Sequence, residues 1–326
     1  MRLLIVNAGS SSLKWTLYDN GIINTKEYSG LNNDTKYNAA VNKMADDKSI
    51  TDIELVIHRI VHGYGLKKTV YYNNNVRKKI IAGSKIAPLH NNRALMAIDA
   101  LNYKIAKQAC VFDSLPYTDL EEYPLPNSII KKYNIKRFGF HGLSHLAMRG
   151  AYKEKNIITA HLGSGSSITG WKDNKTVYHS MGFSPNEGMI MMTRTGSIDS
   201  GIILLLQEEG HTSKMISDII NKQSGMLALC SNNDFKTIIE RKKKNNKYHV
   251  AYKYYIMSCA EHILKATVRT GKPGRIIFTG GIGEKSKSTV RDIMRLLPYK
   301  ANYSQHSTDE NTIIIREAAK LMNSKK

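Results

Sequence analysis

Three glycine-rich turns are the stretches of this chain best suited to chemistry, and each follows a short apolar run. They occupy residues 9–12, 163–167 and 280–283. Glycine lets backbone N–H groups approach an anion closely, so a turn delivered by a strand is a common way to bind phosphate. One such turn is usually a plain hairpin loop, but three of them predict a nucleotide site. Neither a Walker A lysine motif nor a Gly-x-Gly-x-x-Gly fingerprint is present, which argues against P-loop and Rossmann mechanisms.

The elements that must position these turns are short strands. Residues 3–6 and 13–18 flank the first turn, residues 157–160 and 168–171 flank the second, and residues 275–279 run into the third. Gly9, Ser10, Ser12, Asp19 and Asn20 each recur 154 positions later. This self-similarity predicts two duplicated lobes that each open with a strand, a turn and a second strand.

The remaining segments alternate between strand and helix patterns. Residues 55–61 are a short, mostly apolar stretch, residues 91–101 have helical spacing, and residues 109–112 are predicted to form a buried strand that ends at Asp113. Ser213 is predicted to cap a helix that runs through Asn221. A last helix is predicted over residues 316–322. Six residues share one helical face, namely Val250, Tyr254, Met257, Glu261, Leu264 and Val268.

Composition bounds the class of protein. The 326 residues are 41% apolar and 23% charged, which predicts two globular domains. The net charge of +21 would suit a nucleic-acid ligand, but the lysines are scattered and no basic-aromatic module accompanies them, so no nucleic-acid partner is expected. No apolar run reaches the length of a membrane span, and no signal peptide is recognisable, which favours a cytoplasmic location without a membrane partner. The three cysteines, Cys110, Cys230 and Cys259, are expected to be buried.

Nine ordered blocks along almost the whole chain resemble those of acetate kinases, in the superfamily of sugar kinases, Hsp70 and actin. The blocks lie at residues 6–14, 58–63, 87–91, 111–113, 138–145, 161–163, 181–188, 193–199 and 278–284.

The resemblance implies a two-lobed α/β fold, a duplicated ribonuclease H-like architecture of the actin, hexokinase and Hsp70 type with an interlobe cleft. It places an N-terminal lobe at residues 1–147, with a C-terminal helix of residues 313–326 packing back on it. Residues 148–312 would form the nucleotide-binding lobe.

The reaction implied is the reversible, in-line phosphorylation of acetate to acetyl phosphate by ATP, with Mg²⁺ or Mn²⁺ as cofactor. Family members are usually homodimers. Two alternatives stay open: a kinase of propionate or another short-chain carboxylate, and a catalytically weak nucleotide-binding relative. Acetate is favoured over propionate because Val61 occupies a position where propionate enzymes tend to carry a smaller residue.

Carried over by position, the resemblance also implies roles for individual residues. Arg59 and Arg194 would clamp the carboxylate and the phosphoryl group, since a guanidinium stays charged and can bond two oxygens at once. His141 would donate a hydrogen bond to the transferring group, with His90 and His161 nearby. Mg²⁺ would be held by Asn7, Asp113 and Glu317. The substrate would contact Arg59, Val61, Leu89, His90, Phe140 and Pro185. The nucleotide would contact Lys14, His161, Gly163, Ser164, Gly165, Asp234, Lys236, Gly280, Gly281, Ile282 and Gly283.

The chain departs from the family pattern at several of these places, and it is shorter than typical members. Residues 114–117 read Ser-Leu-Pro-Tyr where the family has Thr-Ala-Phe-His, and Tyr64 replaces a glycine. Ser164 occupies a position where the family has an asparagine, and Lys236 occupies a position where the family has an arginine. His141 and His145 have the spacing of a zinc pair, but no third ligand accompanies them in the sequence, which argues against zinc.

Overall fold

The chain forms two compact units in a computed structural model. The model describes residues 1–9, 12–102, 105 and 107–324, and only the backbone of Pro88 and Leu89. Unit 1 comprises Met1–Thr118, Phe140–Leu143 and Asp309–Lys326. Unit 2 comprises Asp119–Gly139 and Ser144–Thr308. Each unit contains a mixed β-sheet with helices packed on it, which confirms the predicted α/β class.

The strands of the described residues form a six-stranded sheet in unit 1 and a five-stranded sheet in unit 2. The apolar residues of the central strands are buried on both faces, as Leu3, Leu4, Ile5 and Val6 show with exposures of 0–1%, whereas the edge strand of residues 22–29 is exposed. In chain order the strands are β1 Arg2–Ala8, β2 Ser12–Asp19, β3 Ile22–Ser29, β4 Leu55–Ile60, β5 Val70–Tyr71, β6 Gln108–Phe112, β7 Asn156–Leu162, β8 Ser166–Lys172, β9 Lys175–His179, β10 Arg275–Thr279 and β11 Asn302–Gln305.

The helices begin at polar capping residues in several cases, for example Asn33, Asn73 and Asp199, whose side chains accept a backbone N–H of the first turn. In chain order they are α1 Asp34–Ala45, α2 Asn74–Gly83, α3 Pro88–Asn102, α4 Asn127–Tyr133, α5 Gly142–Gly150, α6 Ser200–Glu208, α7 Ser213–Asp218, α8 Gly225–Cys230, α9 Phe235–Arg241, α10 Asn246–Thr270, α11 Gly280–Lys285, α12 Lys287–Arg295 and α13 Glu310–Asn323.

The two sheets share the order and directions of five strands, which supports the predicted duplication, and β5 is an additional antiparallel edge strand in unit 1. The order is β3-β2-β1-β4-β6-β5 in unit 1 and, read from the opposite edge, β9-β8-β7-β10-β11 in unit 2. In each sheet a three-stranded meander is followed by parallel strands on the far side of its first strand. The matching hairpin turns both use left-handed backbone, with φ of 46° at Asn20 and 66° at Asn174.

Some predictions of local structure need correction. Thr212 rather than Ser213 caps α7, and this helix ends at Asp218 before a π-helical turn at Ile219–Gln223. The helix predicted over residues 316–322 begins earlier, at Glu310. Val250, Tyr254 and Met257 share one face of α10 as predicted, and that face is exposed, at 51%, 57% and 40%. The core of unit 2 instead receives the opposite side of α10, including Tyr255, Cys259 and Ile263.

Two other expectations concern the cysteines and membrane-spanning helices. The three cysteines are buried and unpaired, as predicted. Among the helices of the described residues, none has both the length and the apolar character that crossing a membrane requires.

Candidate active site

Three polar side chains meet at the carboxyl ends of neighbouring parallel strands in unit 1. Asn7 lies near the end of β1 and pairs in register with Arg59 of β4, and Asp113 directly follows β6. Carboxyl ends of adjacent parallel strands share one edge of a sheet, so these residues converge although they are far apart in sequence. The predicted group of Asn7, Arg59 and Asp113 is therefore contiguous in space.

Arg59 is the centre of this group. Its Nε and Nη2 donate to the two carboxylate oxygens of Asp113 at 2.9 and 2.8 Å, and its Nη1 donates to Asn7 Oδ1 at 3.3 Å. Nη1 also forms an ion pair with Glu310 Oε2 at 3.0 Å. Burial alone would lower the pKa of Arg59, but the two carboxylates outweigh it and raise the pKa above its ordinary value.

Glu310 is the functional candidate that the sequence reasoning missed. It lies in the first turn of α13, its side chain is 14% exposed, and it faces Arg59. Glu317, which was predicted to hold the metal, lies two turns later and contacts Lys320 Nζ at 2.7 Å and Thr69 Oγ1 at 3.3 Å. The available signal was the Asp309-Glu310 pair, since acidic residues are enriched where a helix begins.

The electrostatic surroundings of Glu310 include four charged neighbours, namely Arg59, Asp113, Lys14 and Asp309. Burial raises its pKa, the positive charges of Arg59 and Lys14 oppose that rise, and the Asp113 carboxylate adds to it, with a raised pKa as the result. Lys14 was predicted to contact the nucleotide. It lies on β2 and pairs in register with Asn7 of β1. Lys14 therefore belongs to the same electrostatic cluster.

His141 has left-handed backbone, with a φ of 55° that a β-carbon disfavours. The next residue, Gly142, donates its N–H to the Asp113 carbonyl at 2.9 Å. A β-carbon at Gly142 would lie 1.9 Å from that same oxygen, so only glycine fits there. The backbone at His141 is thus tied to the residue that also bonds Arg59.

The residues predicted to line the acyl pocket are described to different extents. Phe140 is 1% exposed, and its ring centroid lies 6.0 Å from that of His62. Val61 directly follows β4, and His90 lies in the first turn of α3. Pro185 belongs to unit 2. The side chain of Leu89 lies outside the described residues.

Two of the predicted phosphate loops adjoin each other in unit 2. They follow β7 and β10, neighbouring parallel strands in which Thr279 pairs with His161. A β-carbon at Gly163 would lie 3.8 Å from the Gly281 backbone nitrogen, and one at Gly280 would lie 2.6 Å from the Leu162 carbonyl. The close approach of backbone to backbone, together with a φ of 77°, explains glycine at position 280, whereas the contact at Gly163 is an ordinary van der Waals distance. Ile282 and Gly283 continue the second loop as part of α11.

The first glycine-rich turn, in unit 1, is described only at its ends. Gly9 donates its N–H to the Ser12 carbonyl at 2.8 Å, while Ser10 and Ser11 lie outside the described residues. In unit 2 the Gly163 N–H is likewise bonded within its own turn, to the Gly165 carbonyl at 3.1 Å. The Ser164 carbonyl accepts the Met192 N–H at 3.3 Å, which connects this loop to the segment carrying Arg194.

Histidines of unit 2 are held by hydroxyl groups. His161 Nδ1 and Ser144 Oγ lie 2.8 Å apart. Both ring nitrogens of the buried His145 contact hydroxyls, those of Thr159 at 2.7 Å and Ser167 at 2.9 Å. Burial, then the neighbouring His179 and His161, lower the pKa of His145 well below its usual range. His145 therefore supports the strands rather than binding zinc.

Arg194 is a buried cation of a different kind from Arg59. Its Nη1 donates to the Pro185 carbonyl at 3.2 Å and contacts the sulfur of Met191 at 3.7 Å. Burial lowers its pKa, and no carboxylate in the described part of the chain pairs with it. A guanidinium without a counter-charge is suited to an anionic ligand.

Asp234 and Lys236 have local roles in the structure. The Asp234 carboxylate caps α9 by accepting the Lys236 N–H at 3.2 Å and the Thr237 hydroxyl at 2.6 Å. Lys236 is exposed. The structure therefore shows a capping function for Asp234, and none of the hydrogen bonds given above for these two residues within the described part of the chain reaches a glycine-rich loop.

Sequence comparisons relate the chain to one family. The model of the Acetokinase family matches residues 35–320. An acetate kinase of Methanosarcina thermophila is 34% identical over 90% of this chain and 84% of its own length. An acetate kinase of Carboxydothermus hydrogenoformans is 31% identical over 92% of this chain and 87% of its own length.

Structural comparisons agree with this relation. The chain superposes on Porphyromonas gingivalis acetate kinase with a TM-score of 0.81, at 26% identity and over 98% of this chain and 99% of that one. A Francisella tularensis propionate kinase gives a TM-score of 0.84, at 26% identity and over 97% and 98%. These neighbours confirm the two-lobed actin and hexokinase type of fold.

Proposed function

The chain belongs to the acetokinase family, and from this premise we propose that it phosphorylates acetate with ATP to form acetyl phosphate, reversibly. It is an enzyme, a phosphotransferase whose acceptor is a carboxyl group. The observation that carries the proposal is the cluster of Asn7, Arg59, Asp113 and Glu310 in a chain of this family. Phosphoryl transfer requires positioned cations and a carboxylate-held metal, and this cluster offers both.

The cations would act on the transferring phosphoryl group. Burial of Arg194 supports this role, and no carboxylate among the described residues pairs with its guanidinium, so its charge is available to an anion. Arg59 would contact the acetate carboxylate or the phosphoryl oxygens. His141 would donate a hydrogen bond to an equatorial oxygen, and the fixed left-handed backbone would hold its imidazole for that purpose.

The divalent metal would be Mg²⁺, with Mn²⁺ as an alternative, held by Asp113 and Glu310 with Asn7 close by. The donors are oxygens, as Mg²⁺ prefers, and two carboxylates suffice because waters and phosphates complete its shell. The described residues contain no group of three or more His, Cys, Asp or Glu placed to hold a metal. The raised pKa of Glu310 fits a carboxylate that an added cation would stabilise. When bound, the metal would neutralise charge on the nucleotide phosphates.

The nucleotide phosphates would lie against the backbone of residues 163–165 and 280–283. Both loops follow neighbouring parallel strands, and Gly163 and Gly165 are partly exposed and Gly281 is exposed, so their backbone is accessible to a phosphate. His161, held by Ser144, and Lys14, near Glu310, would add polar contacts. Asp234 would act indirectly by capping the helix that carries Lys236.

The choice between acetate and propionate would depend on Val61, with Phe140, Leu89, His90 and Pro185 as the other proposed lining residues. The similarity to a propionate kinase keeps that substrate as the second candidate. A pocket discriminates one methylene by only about 1–3 kcal/mol, so the preference for acetate would be partial.

Assembly as a homodimer is supported by the exposed apolar face of α10. Val250, Tyr254 and Met257 are each at least 40% exposed there, which is typical of an interaction surface. Tyr254→Glu should therefore convert a dimer to a monomer in light scattering.

We propose a cytoplasmic location without a nucleic-acid partner. The boundary between the lobes at residue 147 also stays a proposal.

The experiment that tests the function is a hydroxamate-coupled assay with ATP and Mg²⁺, comparing acetate, propionate and butyrate at matched concentrations. Acetate-dependent product that is lost in Arg194→Ala would support the proposal. We expect the variant to lose at least about a hundredfold in turnover, because a cation facing developing charge in a dry site contributes several kcal/mol. No product with any acid, from protein that still binds ATP, would instead indicate a catalytically weak relative.

A further inference from the structure

We propose that Tyr117 is a positioning residue that fixes the backbone of His141 through a hydrogen bond to the preceding carbonyl. The Tyr117 hydroxyl donates to the Phe140 carbonyl at 2.9 Å. Both residues are buried, with exposures of 3% and 1%. The inference rests on the proposed function, in which His141 contacts the transferring phosphoryl group.

Tyr117 lies in two successive hydrogen-bonded turns that begin where β6 ends. The Leu115 N–H donates to the Phe112 carbonyl at 3.0 Å, and the Tyr117 N–H donates to the Ser114 carbonyl at 3.1 Å. The Asp113 N–H donates to the Ile60 carbonyl of β4 at 3.0 Å, which ties the turn to the sheet. The position of the Tyr117 ring is therefore set by the sheet.

This turn holds the chain on both sides of His141. On the N-terminal side the Phe140 carbonyl accepts the Tyr117 hydroxyl, and on the C-terminal side the Gly142 N–H donates to the Asp113 carbonyl. His141 itself has the disfavoured φ of 55°. Such a conformation persists only where the surroundings over-determine it, and these two hydrogen bonds supply that constraint.

The arrangement couples three proposed functions in one turn. Asp113 accepts from Arg59 through its carboxylate and from the Gly142 N–H through its carbonyl. Tyr117, four residues after Asp113, donates to the Phe140 carbonyl on the other side of His141. The metal ligand, the arginine and the histidine therefore keep one relative geometry in unit 1. Tyr117 also belongs to the segment of residues 114–117, where the resemblance to acetate kinases implies a different set of residues.

The test is Tyr117→Phe, which keeps the ring and removes only the donor. A displacement near 1 Å at a catalytic group can cost about a hundredfold, so we expect kcat to fall by about tenfold or more with KM values for acetate and ATP within about twofold. Tyr299→Phe, which removes a hydroxyl bonded to Thr267 in unit 2, is the matched control and should leave kcat unchanged.

A double-mutant cycle separates positioning from a general structural effect. If Tyr117 acts through His141, then Tyr117→Phe should change kcat by less than about twofold in a His141→Ala background. An equal loss in both backgrounds, or a kcat for Tyr117→Phe within twofold of the wild type, would overturn the inference.

A second readout does not depend on turnover. Amide hydrogen exchange of the peptide covering residues 138–145 should be faster in Tyr117→Phe and unchanged in Tyr299→Phe. Unchanged exchange in Tyr117→Phe would overturn the inference even if activity fell. If the wild type makes no acyl phosphate, the proposed function fails, and the exchange measurement still decides whether Tyr117 holds His141.

Discussion

Acidification should destabilise unit 1 through His58, a buried histidine of β4 that is 1% exposed. Its Nε2 lies 2.6 Å from the Gln108 amide oxygen, and the Gln108 side-chain nitrogen donates to the Ile98 carbonyl. Because the amide oxygen can only accept, Nε2 of His58 must carry the proton. The other ring nitrogen, Nδ1, is buried and has no hydrogen-bond partner in the described residues. Protonation there would place an uncompensated charge in the core.

The magnitude follows from the pKa. Burial, opposed only in part by the Gln108 hydrogen bond, lowers the pKa of His58 from 6.5 to about 4. Between these values His58 is protonated in the unfolded chain and neutral in the folded chain. The contribution of His58 to the free energy of unfolding is therefore complete above pH 6.5 and is lost as the pH falls toward 4. At pH 5, which is about 1.5 units below the unfolded pKa, the loss is about 2 kcal/mol at 1.36 kcal/mol per unit.

The assay is urea unfolding at pH 7 and pH 5 for the wild type, His58→Gln and His249→Gln. His58→Gln cannot titrate, so the difference in unfolding free energy between the two pH values should be smaller by about 2 kcal/mol. His249 is exposed on α10, and its replacement is the matched control. An identical pH dependence in His58→Gln and the wild type would refute the assignment of the buried charge penalty to His58.

Three further predictions concern the candidate site. Glu310→Gln should raise the Mg²⁺ concentration for half-maximal activity by more than about tenfold, while Glu317→Gln stays close to the wild type in the same titration; equal effects would count against Glu310 as the ligand. Val61→Ala should shift the ratio of kcat/KM values toward propionate by about tenfold, as measured with the two acids in parallel, and an unchanged ratio would remove Val61 from the acyl pocket. Gly142→Ala should cost several kcal/mol in urea unfolding or at least about a hundredfold in turnover, because its β-carbon would lie 1.9 Å from the Asp113 carbonyl. Gly150→Ala, where a β-carbon meets nothing within 4 Å, should retain both, and equal losses in the two variants would contradict the steric argument.

Several features could be read from the sequence because they depend on neighbouring residues. Apolar runs predicted the strands β1, β7 and β10, and β10 has the bounds expected from residues 275–279. Glycines at the ends of these strands indicated where backbone would come close to backbone. The recurrence of Gly9, Asp19 and Asn20 predicted a duplication that the matching strand order supports.

Other features were decided only by packing between distant segments. Helical periodicity showed that Val250, Tyr254 and Met257 share a face, but it could not show that the opposite face of α10 enters the core. Asp234 has the same local pattern whether it binds a ligand or caps a helix, and the structure shows the cap.

The acidic cluster shows most clearly where the sequence stops being informative. Asp113 was recognisable from the end of its strand, and the resemblance pointed to an acidic residue near the C-terminus. Glu310 and Glu317 both suit an exposed helix turn by local criteria, and they are separated by about two turns of one helix. Only the docking of α13 against β1, β4 and β6 brings Glu310 to Arg59, whereas Glu317 pairs with Lys320 three residues along its own helix. A local pattern sets which residues form a helix, whereas burial against the sheet determines where along that helix a carboxylate meets its partner.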